Sequence, residues 1–220
     1  MSDFINAFLL VFAALFPIVN PLGSAPIFLS LTSDCTPQER ERLARGVAFN
    51  GFCLLFGSLL FGSAILEFFG ITVPVMRVAG GLVVTAMGWK LLTEGNPPPE
   101  RESVRSEQAG PPQARDSFYP LTLPLTVGPG SISVAITIGS HRSAEGFSVR
   151  EVLVVSAAIA GLVAIAATIY VSYRFAEPLA RRLGHTGINV LVRLSAFILM
   201  CIGIQIAWNG IEALISGMSR

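Results

Sequence analysis

Charge is scarce in this sequence. Only 13% of its 220 residues are Asp, Glu, Lys or Arg, against 52% hydrophobic residues and a mean hydropathy of +0.66. A soluble domain carries about a quarter charged residues. Half that amount cannot cover a water-facing surface, so neither a soluble enzyme nor a disordered chain fits. An excess of either sign is also missing. The 15 Lys and Arg balance 14 Asp and Glu, which leaves no basic footprint for nucleic acid. The two histidines, His141 and His185, fall between apolar stretches, so no serine within a stretch has an imidazole base beside it. Asp3, Asp34 and Asp116 also lie outside the stretches, which excludes an intramembrane aspartyl pair. No glycine loop ending in lysine is present to hold a nucleotide phosphate. The cysteines, Cys35, Cys53 and Cys201, lack metal-ligand spacing and read as buried or loop thiols of a reducing compartment. No cofactor or metal is implied, and no enzyme is expected.

Long apolar runs are what the chain has instead. Six can be read: Phe4 to Leu31, Val47 to Phe69, Ile71 to Leu92, Phe118 to Ile138, Val152 to Tyr173 and Ile188 to Ile215. Each is near or above the ~20 residues that cross a bilayer, and none alternates as an outer-membrane strand does. The first lacks a basic leader and a small-residue cleavage site, so it is expected to be retained. The segment 93–117 is rich in proline and mixed charge and reads as a solvated linker. It separates a first half, residues 1–92, from a second, residues 118–220. Arg40, Arg42 and Arg45 follow the first stretch, Lys90, Arg101, Arg105 and Arg115 flank or lie in the linker, and Arg174, Arg181 and Arg182 follow the fifth. Only Arg142, Arg150 and Arg220 fall on the other side. The positive-inside rule then puts the linker in the cytoplasm and both termini outside.

The strongest pattern is a repeated set of prolines. Pro17, Pro21 and Pro26 in the first stretch match Pro120, Pro124 and Pro129 in the fourth at one constant offset. An aromatic residue precedes the first proline of each set (Phe16, Tyr119), and a leucine follows the second (Leu22, Leu125). Each proline removes a backbone donor and crowds the preceding turn. Three of them beside Gly23, or beside Gly128 and Gly130, predict an unwound helix. Such a break survives in lipid only when it is buried in protein or lines a watery cavity. Two matching breaks in halves of three spans each predict an all-helical membrane protein of two inverted three-helix repeats, with a substrate site at the breaks. By length, both breaks lie roughly 12–13 Å from the cytoplasmic side, so they can face each other.

The chemistry available there is that of small donors. Asn20, Gly23 and Ser24 in one break, and Thr126, Gly128, Gly130, Ser131 and Ser133 in the other, offer hydroxyls, an amide and approachable backbone N–H groups at helix starts. They suit a small zwitterionic solute. Asn20 has a second reading, as the cap of its own broken helix. Arg77 and Arg193 stand about five residues into the third and sixth stretches, with gating or carboxylate binding as one role and snorkelling or structural pairing as another. Gln205 and Asn209 in the sixth stretch, like Asn50 in the second, read as helix-to-helix hydrogen bonding.

With those residues in view, the chain resembles the MarC family (UPF0056-type). The resemblance rests on Asn20-Pro21-Leu22-Gly23-Ser24-Ala25-Pro26-Ile27-Phe28, on Gly128-Pro129-Gly130-Ser131, on Arg77-Val78-Ala79-Gly80-Gly81 and on the six-span layout. It implies a six-span protein of the bacterial inner membrane. It also implies kinship with small neutral amino acid transporters, some of which move glycine and alanine with protons. The expectation is therefore a secondary transporter in the lipid bilayer, with a small zwitterionic solute as its partner. Protons are the candidate coupling ion, although no acidic side chain lies deep in a span. A membrane protein of the same family without transport activity is the alternative.

Overall fold

The computed structural model of the chain describes residues 2–94, 116–140 and 149–218. Most of the 93–117 linker lies outside these residues. So do His141, Arg101, Arg105, Arg115, Arg142 and Arg220, as well as the side chains of Arg150 and His185. The chain is helical: α1 (Ser2–Val19), α2 (Pro21–Leu31), α3 (Pro37–Phe68), α4 (Val73–Glu94), a wide π-type turn (Leu121–Thr126), α5 (Pro129–Ser140), α6 (Val149–Arg174) and α7 (Ala176–Met218).

Proline and its neighbours set the helix starts. Pro21 and Pro37 occupy the first turns of α2 and α3, and Pro129 opens α5, where the missing N–H costs nothing. At the start of α3 the Thr36 hydroxyl accepts from the Glu39 N–H at 3.3 Å, and the Glu39 carboxylate accepts from the Thr36 N–H at 2.8 Å. This reciprocal pair satisfies two donors that a helix start leaves open.

Among the described residues, 5 helical stretches are long and apolar enough to cross a membrane: Phe4–Leu31, Pro37–Phe68, Val73–Thr93, Val152–Arg174 and Thr186–Gly217. The fourth apolar run of the sequence does not form a further one. It folds as the π-type turn and then the 12 residues of α5. That helix is about 18 Å long, well short of the ~30 Å hydrocarbon layer.

The core lies between α1, α3 and α6. Val11, Leu15, Leu55, Leu162, Ile165 and Ile169 are fully buried there. Large apolar side chains also point outward, Phe61, Phe68, Trp89 and Trp208 among them. This is the surface expected of helices solvated by lipid. Cys53 and Cys201 lie on that exposed surface rather than buried, and all three cysteines are free thiols.

The longest contact joins α4 to α7 as an antiparallel pair. Glycines bring the two backbones together. A Cβ on Gly88 would stand 2.6 Å from the Met200 N, and one on Gly210 would stand 2.8 Å from the Pro74 O. Gly81 faces Gly203 and Ala207, while Gly203 faces Gly81 and Thr85. Gly88 faces Ala196 and Met200, while Gly210 faces Pro74 and Val78. The α7 members stand at one constant offset from their α4 counterparts, so the contact reads the same when the helices are exchanged. The other contacts follow suit. α3 packs on α5 as α1 packs on α6, and α4 packs on α5 as α2 packs on α7.

Candidate functional site

The two proline segments fold differently. The first is a break of a single residue. Asn20 takes the left-handed conformation (φ 48, ψ 57) between α1 and α2. Asparagine reaches that region more readily than other residues with a side chain. Its Oδ1 accepts from the Gly23 N–H at 3.2 Å, so it caps α2. The ladder hardly notices: the Asn20 N–H donates to the Phe16 O at 2.9 Å, and the Ser24 N–H donates to the Asn20 O at 3.0 Å. Pro17 and Pro26 remain inside helices. The unwinding expected over the whole segment is thus confined to Asn20, the residue before Pro21. Residues before proline are pushed out of the α region, and only here does the chain yield fully. Gly23 leaves room for the cap, because a Cβ there would stand 2.7 Å from Asn20 Oδ1.

The second break is long. Leu123, before Pro124, is extended (φ −106, ψ 126), and so is Val127 (φ −117, ψ 101). The peptide bonds before Pro120 and Pro124 are cis. Hydrogen bonds reach back five residues rather than four: the Leu123 N–H donates to the Phe118 O and the Val127 N–H to the Thr122 O, both at 2.9 Å. Threonine side chains support the wide turn. Thr122 Oγ1 donates to the Ser117 O at 2.7 Å, and Thr126 Oγ1 donates to the Leu121 O at 2.7 Å. Asn50 of α3 reaches this segment, donating to Ser117 Oγ at 3.1 Å.

One residue joins the breaks. Tyr173, near the end of α6, is completely buried. Its hydroxyl lies 2.7 Å from Thr126 Oγ1, and Ser24 of α2 lies beside it. Because Thr126 spends its proton on the Leu121 O, the tyrosine is the donor of this pair. The Tyr173 ring stacks on Phe28 of α2, with centroids 4.3 Å apart. Ser24, Thr126, Tyr173 and Phe28 therefore form one buried cluster that touches both segments.

The remaining expected residues face α4. Gly130 packs against Val84 of α4 and Ile18 of α1. Ser131 Oγ donates to the Gly128 O at 3.0 Å, within its own first turn. Ser133 Oγ donates to the Met76 O at 3.3 Å and rests on Gly80. Gly128 would accept a Cβ in ordinary contact. A Cβ there would meet the Pro124 O only at 3.5 Å and Met87 Sδ only at 3.9 Å. Arg77 Nε donates to Thr137 Oγ1 of α5 at 3.2 Å, which ties α4 to the helix after the second break. Arg193 is exposed on α7. In the register that packs α4 on α7, Arg77 corresponds to Leu199 and not to Arg193. Gln205 donates to Asn209 at 2.8 Å on an exposed face, so the two bond to each other rather than across helices.

Charged residues collect at one end of the fold. A cavity of about 280 Å³ is lined by Arg40, Glu41, Tyr173, Arg174, Glu177 and Arg181, with two prolines. Arg40 pairs with Glu177 at 2.8 Å, and Arg174 pairs with Glu41 at 3.1 Å. Arg40 Nη2 also donates to the Thr32 O at 3.1 Å, just after α2. The basic residues after the first and fifth apolar runs thus share a face. Sequence reasoning used Arg40, Arg174 and Arg181 only as topology marks and missed Tyr173. A polar tip closing an apolar run, four residues before Glu177, was the available signal.

These features define a class first: a polytopic, all-helical integral membrane protein with two interrupted segments meeting inside it. Residues 5–215 match the model of the MarC family integral membrane protein. The chain belongs to the MarC family. The UPF0056 inner membrane protein MarC of Salmonella typhimurium is 32% identical over 218 residues, which is 98% of each chain. The protein of the same name from Escherichia coli O6:H1 is 32% identical over 219 residues, again 98% of each. No solved structure matches.

Proposed function

We propose that the chain is a secondary transporter of small neutral amino acids or similar small zwitterionic solutes. It crosses the membrane six times, as two inverted halves, residues 1–92 and 118–220, on either side of the 93–117 linker. The π-type turn and α5 together make the fourth crossing. Both termini face the periplasm and the linker faces the cytoplasm. Solute binds where the breaks meet, among Asn20, Gly23, Ser24, Thr126, Gly128, Gly130, Ser131 and Ser133, and rocking of one half against the other exposes it to each side in turn. Protons are the candidate coupling ion.

The observation that carries this reading is the meeting of the two proline breaks at the buried Ser24–Tyr173–Thr126 cluster. Irregular backbone in lipid must be buried in protein or line a cavity, and two breaks placed together supply the approachable backbone and hydroxyl groups from which a solute site at a repeat interface is built. The α4–α7 contact, unchanged when its helices are exchanged, supports the two halves. The rival reading, a family member without transport, draws on the same hydroxyls. Thr126, Ser131 and Ser133 are all bonded to protein atoms.

Liposomes holding the purified protein and loaded with unlabelled glycine, alanine or serine test the two readings. A transporter accumulates the labelled solute by counterflow, and the uptake saturates. Gly128→Leu, which places a bulky side chain beside Pro124 and Met87 at a position that accepts a Cβ in ordinary contact, should abolish the exchange without unfolding the protein. No counterflow with any of the three solutes, together with no shift in melting temperature across the amino acids, would leave the rival reading standing.

A further inference from the structure

The Tyr173 side chain has two environments. On one side it meets both breaks, through the Thr126 hydroxyl and the Phe28 ring. On the other it lines the charged cavity beside Arg40, Arg174 and Glu177. A fully buried ring between an open cavity and an enclosed hydroxyl cluster is a partition between them. We propose that Tyr173 is the gate between the charged cavity and the broken segments, so that the cavity is the mouth of the solute path on that face. For what passes through, the proposal rests on the transport reading above.

The chemistry of the mouth fits a zwitterion. Arg40, Arg174 and Arg181 offer guanidinium groups to a carboxylate, and Glu41 and Glu177 offer carboxylates to an ammonium. The ion pairs are doubled. Glu177 is held by both Arg40 and Arg181, and Glu41 by both Arg174 and Arg45. An arriving carboxylate can take one arginine while each glutamate keeps the other, which avoids stranding an unpaired charge. The gate is lightly latched. The Thr126 and Ser24 hydroxyls and one ring stack hold it on the side of the breaks. Breaking them disturbs Phe28 and Thr126, one from each broken segment, so opening is coupled to both.

Side-specific labelling tests this without requiring transport. In a background with Cys35, Cys53 and Cys201 replaced by serine, Val127→Cys, at a fully buried position of the second break, and separately Ser24→Cys report access to the breaks. Gln38→Cys, at an exposed position of α3 next to the cavity-lining Pro37, marks the face of the cavity. A charged, membrane-impermeant methanethiosulfonate is added to sealed vesicles from either side. With Tyr173 or Tyr173→Phe the reporters should react slowly. With Tyr173→Ala they should react about tenfold faster or more from the Gln38 face only, because a state populated at about 0.1–10% becomes the resting one. Unchanged rates at both reporters would overturn the gate, and so would faster labelling from both faces, which marks loosened packing. Side-specific opening with no counterflow by the parent protein leaves the gate intact and removes the transport reading. Counterflow without side-specific opening does the reverse.

Discussion

The two breaks begin from the same proline spacing and end in different structures. The first bends at Asn20 alone, while the second is irregular from Leu121 to Val127. What differs is the residue before the middle proline. Asparagine can sit in the left-handed region and turn its own side chain into a cap. Leu123 can do neither, so it goes extended, and the turn must widen until threonine hydroxyls take over the stranded carbonyls. Prolines decide where a membrane helix is interrupted. The side chain before the proline decides how much of the chain the interruption consumes.

Six substitutions break or sharpen that contrast, and the melting temperature of the purified protein reads each one. Asn20→Ala should have the largest effect. It forces a Cβ without a cap into the left-handed region and costs about 2–3 kcal/mol. Asn20→Gly should restore most of that loss, which separates backbone strain from capping. Thr126→Val comes next, at about 1–3 kcal/mol, because it removes the side-chain donor to the Leu121 carbonyl and leaves the buried Tyr173 hydroxyl with Ser24 alone. Combined with Tyr173→Phe it should cost less than the two single changes added together. Additivity there would mean that the pair is not coupled. Gly23→Ala should cost about 1 kcal/mol by displacing the Asn20 cap. Gly128→Ala should be smallest, within about 0.5 kcal/mol, since a Cβ there meets its neighbours only at ordinary contact distance and the residue has no positive φ. If Gly23→Ala and Gly128→Ala behaved alike, the two breaks would not differ as described.

Much of this was legible in the chain. The interruptions fall where the prolines predict, and the basic residues after the first and fifth runs do share a face. What was not legible depended on three-dimensional neighbours. The prolines marked a break in Phe118 to Ile138, but hydropathy, which sums residues, did not show that the run stays α-helical only from Pro129 onward. Arg77 and Arg193 matched in depth along their runs, yet one bonds Thr137 and the other is exposed, since helix rotation and register separate them. Tyr173 gave only a weak signal, because its role comes from Phe28 and Thr126, which are distant in sequence. The candidate site was thus half visible. Its backbone was marked, and the side chain that joins its parts was not.

The brevity of α5 has a consequence for how the molecule is made. A 12-residue helix preceded by an irregular turn has too little apolar length to partition into a bilayer by itself. It needs a prepared surface, and it finds one on α3 and α4, where Gly62 receives Ile136, Gly80 receives Ser133 and Arg77 receives Thr137. Both helices precede it in the chain. Synthesis from the N-terminus therefore delivers the dock before the short helix that must settle into it, whereas α6 and α7, which follow, are long and apolar enough to cross a membrane by themselves.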